Sequence, residues 1–161
     1  MPVRSAGVLL WRRASDGTVE VLLGHMGGPF WARKDATAWS VPKGEYADEE
    51  LPLVAAEREF TEELGLPLPV PPEQLVPLGE VRQPGGKRLT LWAAEADLDP
   101  AAVVPGTFVM EWPPRSGRTT EFPELDRVAW LPLEDARERL VKGQRAFLDR
   151  LGELLDANPA G

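Results

Sequence analysis

The order of segments in this chain predicts an α/β fold in which helices pack on a mixed β-sheet. Three observations carry that expectation. Two strand-like apolar runs open the chain, at 3–11 (VRSAGVLLW) and 19–25 (VEVLLGH). A helix-length segment with apolar residues every fourth position follows, over about 51–64. Further strand-like runs then lead to two C-terminal segments with helical spacing, at about 133–142 and 144–157.

The first two runs flank Ser15-Asp16-Gly17, a turn sequence, and read as a pair of strands. A loop with two glycines, Pro29, Phe30, Trp31, Arg33 and Lys34 comes next. Residues 38–42 (AWSVP) form a short apolar run that feeds into Lys43-Gly44. In the helix, Pro52 is tolerable because it falls in the first turn, and Gly65 is suited to end it. Ala56, Phe60 and Leu64 are expected to face the core.

Residues 67–77 are dense in proline and low in charge, as in a stiff surface loop. Residues 74–82 and 87–97 read as a hairpin about Pro84-Gly85-Gly86. An apolar run at 107–112 precedes a loop at 113–120, and 126–131 (DRVAWL) reads as a last strand. No internal repeat is visible, so residues 1–161 are expected to form one domain.

The 161 residues include no cysteine and carry a formal net charge of −8. The first fact excludes disulfides, thiolate metal sites and thiol nucleophiles. The second argues against a grip on long nucleic acid, which needs a basic face. A small polyphosphate is still compatible, because metal ions and a few local cations can neutralise it where it binds. No apolar run reaches membrane-span length and the N-terminus lacks a signal-peptide layout, so a cytoplasmic, non-membrane protein is expected. The single histidine, His25, makes neither a triad nor a zinc site by itself and is read as structural or as a minor substrate contact.

The most informative segment is 44–66, GEYADEELPLVAAEREFTEELGL. Glu59, Glu62 and Glu63 are three and four residues apart, which places their carboxylates on one helical face. A divalent cation accounts for such crowding, since Mg²⁺ prefers hard oxygen ligands and leaves room for water and phosphate. Gly44, Glu50, Arg58, Glu59, Phe60, Glu62, Glu63, Gly65 and Leu66 fall at the spacing G-x5-E-x7-R-E-U-x-E-E-x-G-U, with U apolar. That pattern resembles a complete Nudix box. The approach Trp39-Ser40-Val41-Pro42-Lys43-Gly44 and the later EFPELDRVAWLPLEDA also resemble Nudix sequence.

The resemblance implies an α/β/α sandwich and a Mg²⁺-dependent pyrophosphohydrolase, with Mn²⁺ as a substitute ion. It implies Glu59, Glu62, Glu63 and the Gly44 carbonyl as metal ligands, and an Arg58–Glu50 ion pair that orients the loop against the helix. The proton acceptor would be a box glutamate, Glu59 or Glu62, or one from a later loop. Glu121 is the first candidate there, with Glu111 and Glu124 as alternatives. Lys43, Arg33, Lys34, Arg82, Lys87 and Arg88 are expected to meet phosphate, and Trp39 to stack on a base.

The expected reaction is cleavage of a phosphoanhydride bond in a nucleoside diphosphate linked to another moiety. A dinucleoside polyphosphate or a nucleoside triphosphate is the expected substrate, because Pro42-Lys43-Gly44 resembles hydrolases of dinucleoside or diphosphoinositol polyphosphates. Two alternatives stay open: a non-catalytic nucleotide-sensing domain, and removal of pyrophosphate from an RNA 5′ end. The resemblance is compatible with a homodimer, and the sequence leaves the oligomeric state open.

Overall fold

The computed structural model describes residues 3–157. Its main sheet holds seven strands: β1 (Arg4–Arg13), β2 (Val19–Met26), β3 (Trp39–Ser40), β4 (Lys43–Glu45), β5 (Val76–Arg82), β6 (Arg88–Glu95) and β9 (Leu125–Pro132). The path runs β3-β2-β1-β6-β5, with β4 on β1 and β9 on β2. β1 runs parallel to β6 and antiparallel to β2 and β4, so the sheet is mixed as expected. A separate pair, β7 (Thr107–Glu111) and β8 (Thr119–Pro123), forms a second small sheet.

Alternation along β1 explains why both faces of the sheet are covered. Ala6, Val8 and Leu10 pack on one side against Ala55, Ala56, Phe60 and Leu64 of α1 (Pro52–Leu64). Leu9 and Trp11 pack on the other, with Ala136 of α2 (Leu133–Arg139) and Phe147, Leu148 and Leu151 of α3 (Ala146–Ala157). The result is helix on sheet on helix, with Phe60 and Phe147 fully buried on opposite sides.

The ends of α1 follow its sequence. Pro52 occupies the first turn, and Gly65 closes the helix in the left-handed region at φ 67°. The Ser15-Asp16-Gly17 turn forms as read, with the Gly17 amide donating to the Ala14 carbonyl and Thr18 to the Asp16 carboxylate.

Three elements differ from the sequence reading. Residues 119–123, expected within or beside a loop, form β8 against β7. Of the run 38–42 only Trp39–Ser40 is a strand, β3 on β2, and β4 begins beyond it at Lys43, on β1. The helix expected to reach 142 ends at Arg139, and a short 3₁₀ turn over Lys142–Gln144 joins it to α3. Among the described residues, no helix is long and apolar enough to cross a membrane.

Candidate functional site

β4 and α1 meet at the edge of the sheet, and there Gly44 lies directly beside Glu59. A Cβ on Gly44 would stand 1.8 Å from Oε2 of Glu59, so only glycine lets the carboxylate lie against this backbone. Glu59 is 8% exposed although it sits on a charged helix face. Its burial raises its pKa, an effect that the neighbouring Arg58 opposes.

Arg58 ties the helix to the loop before it. Its Nε and Nη2 donate to the two oxygens of Glu50, both at 2.8 Å, in a bidentate pair. Its Nη1 donates to Glu59 Oε1 at 2.8 Å and to Glu62 Oε2 at 3.0 Å. Nη2 also reaches the Glu45 carbonyl at 3.4 Å. Chiefly through Arg58, the Glu50 carboxyl is held below its usual range, and Arg58 is held charged chiefly by Glu50.

Next to these residues opens a cleft of about 500 Å³. Glu59, Glu63 and Glu124 line it together with the β4 residues Lys43, Gly44 and Glu45. Its remaining lining is Ser5 from β1 and Gln83 and Lys87 from the β5–β6 hairpin. Glu63 carries the largest carboxylate perturbation: burial, then the charge of Glu124, pushes its pKa up to about 7. Lys43 opposes that shift without cancelling it. Glu124 is fixed at its backbone, which donates to the Gly106 carbonyl and accepts from the Gly27 amide. A small recess of the same region is lined by Met26, Ser40, Val41, Lys43, Glu63, Glu124 and Leu125.

The sequence-derived site residues divide into those the cleft gathers and those it does not. Gly44, Glu59, Glu63, Lys43 and Lys87 line it. Glu62 is exposed and lies over an outer depression with Val54, Glu57, Arg58 and Thr61. Glu121 stands on β8 opposite Val109, exposed and outside the lining, whereas Glu124 three residues later is in it. Arg33 and Arg82 are exposed and line no part of the cleft, nor does Arg88. The Lys34 ammonium sits 5.3 Å from the Trp31 ring centre, and its carbonyl accepts from His25 Nε2.

Trp39 requires a correction. Its indole is 3% exposed, donates to Asp35 Oδ1 at 3.0 Å, and meets His25 edge-on, so it is a core residue with no face for a base. His25 is fully buried between Asp126 Oδ1 at 2.7 Å and the Lys34 carbonyl at 2.5 Å, consistent with the structural reading. Ser5 and Gln83 are cleft residues that the sequence reading missed. For Gln83 the signal was its place next to the Pro84-Gly85-Gly86 turn; for Ser5 there was none.

The donor set suits a divalent cation in its chemistry. It offers carboxylates and a backbone carbonyl around a glycine that leaves them room, and Glu63 beside Glu124 is a concentration of negative charge that a cation would relieve. No three acidic or histidine side chains among the described residues already converge on a common point, because Glu59 and Glu62 each give an oxygen to Arg58.

The family model for the NUDIX domain matches residues 1–151. The chain is 32% identical over 149 residues to an 8-oxo-(d)GTP phosphatase of Mycolicibacterium smegmatis, covering 86% of this chain and 37% of that protein. The chain thus spans little more than a third of the length of this relative. Among solved structures, a C. elegans Ap4A hydrolase in a binary complex matches with a TM-score of 0.65 at 23% identity, covering 96% of this chain and 98% of the other. The M. smegmatis Nudix hydrolase RenU matches with a TM-score of 0.58 at 27% identity, covering 96% and 86%.

Proposed function

This chain belongs to the Nudix family, and from that premise we propose that it is a Mg²⁺-dependent pyrophosphohydrolase acting on a nucleotide. The bond cleaved is a phosphoanhydride of a nucleoside triphosphate or a dinucleoside polyphosphate. The observation that carries the proposal is the cleft itself, in which Glu59, Glu63 and Glu124 face Lys43 and Lys87 around Gly44.

Glu59, Glu63 and the Gly44 carbonyl would hold the cation, with Glu62 reaching it from the same helix. A divalent ion there supplies neutralisation of phosphate oxygens and acidification of the attacking water. Lys43 and Lys87 supply point charges to the phosphates, from β4 and from the hairpin opposite. The acceptor of the proton from the attacking water would be a carboxylate of the cleft, and Glu124, which lines it without being assigned to the cation, is the first candidate. We place Glu121 behind it, because it lies outside the cleft. Arg58 and Glu50 hold the helix and loop in register around the acids.

The two substrate classes each have support. The 8-oxo-(d)GTP phosphatase likeness favours a nucleoside triphosphate. The second lysine in the lining, Lys87, favours a longer polyphosphate chain. The test is incubation of the purified protein with Mg²⁺ and a panel of normal and oxidised triphosphates, diadenosine polyphosphates and ADP-ribose. Metal-dependent cleavage of a triphosphate or a dinucleoside polyphosphate is the expected result. No cleavage of any of them would overturn the proposal.

A further inference from the structure

Gln144 lies one hundred residues beyond the Gly44 loop in sequence, yet its side chain is 1% exposed and bonded into the backbone that leads to it. Its Oε1 accepts from the Val41 amide at 2.9 Å. Its Nε2 donates to Ser40 Oγ at 3.0 Å, and that hydroxyl donates on to the Val41 carbonyl at 2.8 Å. The chain around Gln144 adds a further tie, since the Val141 amide donates to the Trp39 carbonyl at 2.9 Å.

The same segment is also packed tightly against β1. A Cβ on Gly7 would fall 2.4 Å from the Pro42 carbonyl oxygen and 2.6 Å from the Lys43 Cβ. Val8 donates to that Pro42 carbonyl at 3.3 Å. Residues 39–43 are therefore held both by the bare β1 backbone at Gly7 and by one amide side chain, that of Gln144. The end of this segment, Lys43 with Gly44 after it, brings the proposed phosphate-binding lysine and the glycine that receives Glu59.

A buried amide is costly unless its donors and acceptors are met, so an apolar side chain would be the simpler filler for this place. We infer that Gln144 is a positioning residue: it fixes the Lys43–Gly44 backbone at the spacing that the cation-holding carboxylates need. Resting as it does on the proposed metal-dependent activity, this inference is tested with one readout that does not depend on metal.

The experiment compares the wild type with Gln144→Met, Ser40→Ala and Val19→Ala. The last trims a partly buried side chain packed on the core away from the cleft and serves as a control for general loosening. Hydrogen exchange of the amides at 41–45 is followed by mass spectrometry, and Mn²⁺ binding by its electron-spin signal.

In Gln144→Met, exchange at 41–45 is expected to quicken and Mn²⁺ to bind about tenfold more weakly, the scale of one buried group left unpaired. Ser40→Ala moves both readouts the same way by less, and decides the matter if Gln144→Met does not fold. Val19→Ala leaves both at the wild-type level. Wild-type exchange at 41–45 in the folded Gln144 and Ser40 variants would overturn the inference, whatever the activity. A wild-type protein that binds Mn²⁺ but cleaves nothing would instead overturn the proposed function and leave the exchange result to stand.

Discussion

The carboxylate of Glu59 occupies the space where a side chain on Gly44 would begin: a Cβ there would lie 1.8 Å from Oε2 and 2.7 Å from Oε1. The acid and the loop are thus fitted to each other at the backbone. Gly44→Ala must displace either the β4 loop or the Glu59 side chain. We predict a loss in turnover of about 100-fold or more, as when a reacting group moves by an ångström. Circular dichroism should still report a folded protein, and retained activity would show that Glu59 is not held in this place for catalysis.

Arg58 uses two edges of its guanidinium, one bidentate on Glu50 and the other shared between Glu59 and Glu62. A lysine keeps the charge but cannot reproduce the fork. Arg58→Lys should lower metal affinity or turnover by about 10- to 100-fold, the range for residues that orient metal ligands. Steady-state kinetics over a Mg²⁺ titration would measure it.

Much of this local arrangement was legible in the sequence because its parts lie within one loop and one helix. Spacing places Glu59 and Glu62 on one face of the helix, while the parts of Gly44 and of the Glu50–Arg58 pair, which join the helix to the strand and loop before it, were implied by the resemblance to the Nudix box. The mixed sheet with helices packed on it was legible from the order of elements, and the sandwich was implied by the resemblance. What was not legible depended on strands meeting across long separations. Glu124 and Gln83 reach the cleft only because β9 and the β5–β6 hairpin are brought there by the sheet. Trp39 looked available because it lies next to a predicted loop, but β3 pairs with β2 and the indole is buried. The sequence reading ranks Glu121 ahead of Glu124, yet Glu121 pairs with Val109 on β8 and Glu124 lines the cleft.

Burial and the nearby Glu124 raise the Glu63 pKa from 4.5 to about 7. The folded protein therefore keeps a proton that the unfolded chain releases, and stability falls as pH rises between those two values. Without metal, the melting temperature should drop from about pH 5 to about pH 7. The slope should shrink in Glu63→Gln, which cannot titrate, and in wild type with Mg²⁺, which stabilises the ionised form. Thermal melts across that window check the sign; an unchanged slope in Glu63→Gln would remove the acid from this account.

Phe60 is fully exposed to the core and not at all to solvent, and it joins α1 to the β1 face beneath the site. Phe60→Ala should cost about 3–5 kcal/mol, read by denaturant unfolding. Leu64, on the same stripe, is expected to behave alike at about 2–5 kcal/mol.

The most direct measurement is turnover of the best nucleotide substrate by wild type and by Glu59→Gln, each with Mg²⁺ and with a chelator. The account predicts cleavage by wild type with Mg²⁺ alone, and none above background in the other three conditions. Cleavage that survives the chelator, or survives the loss of the Glu59 charge, would contradict it.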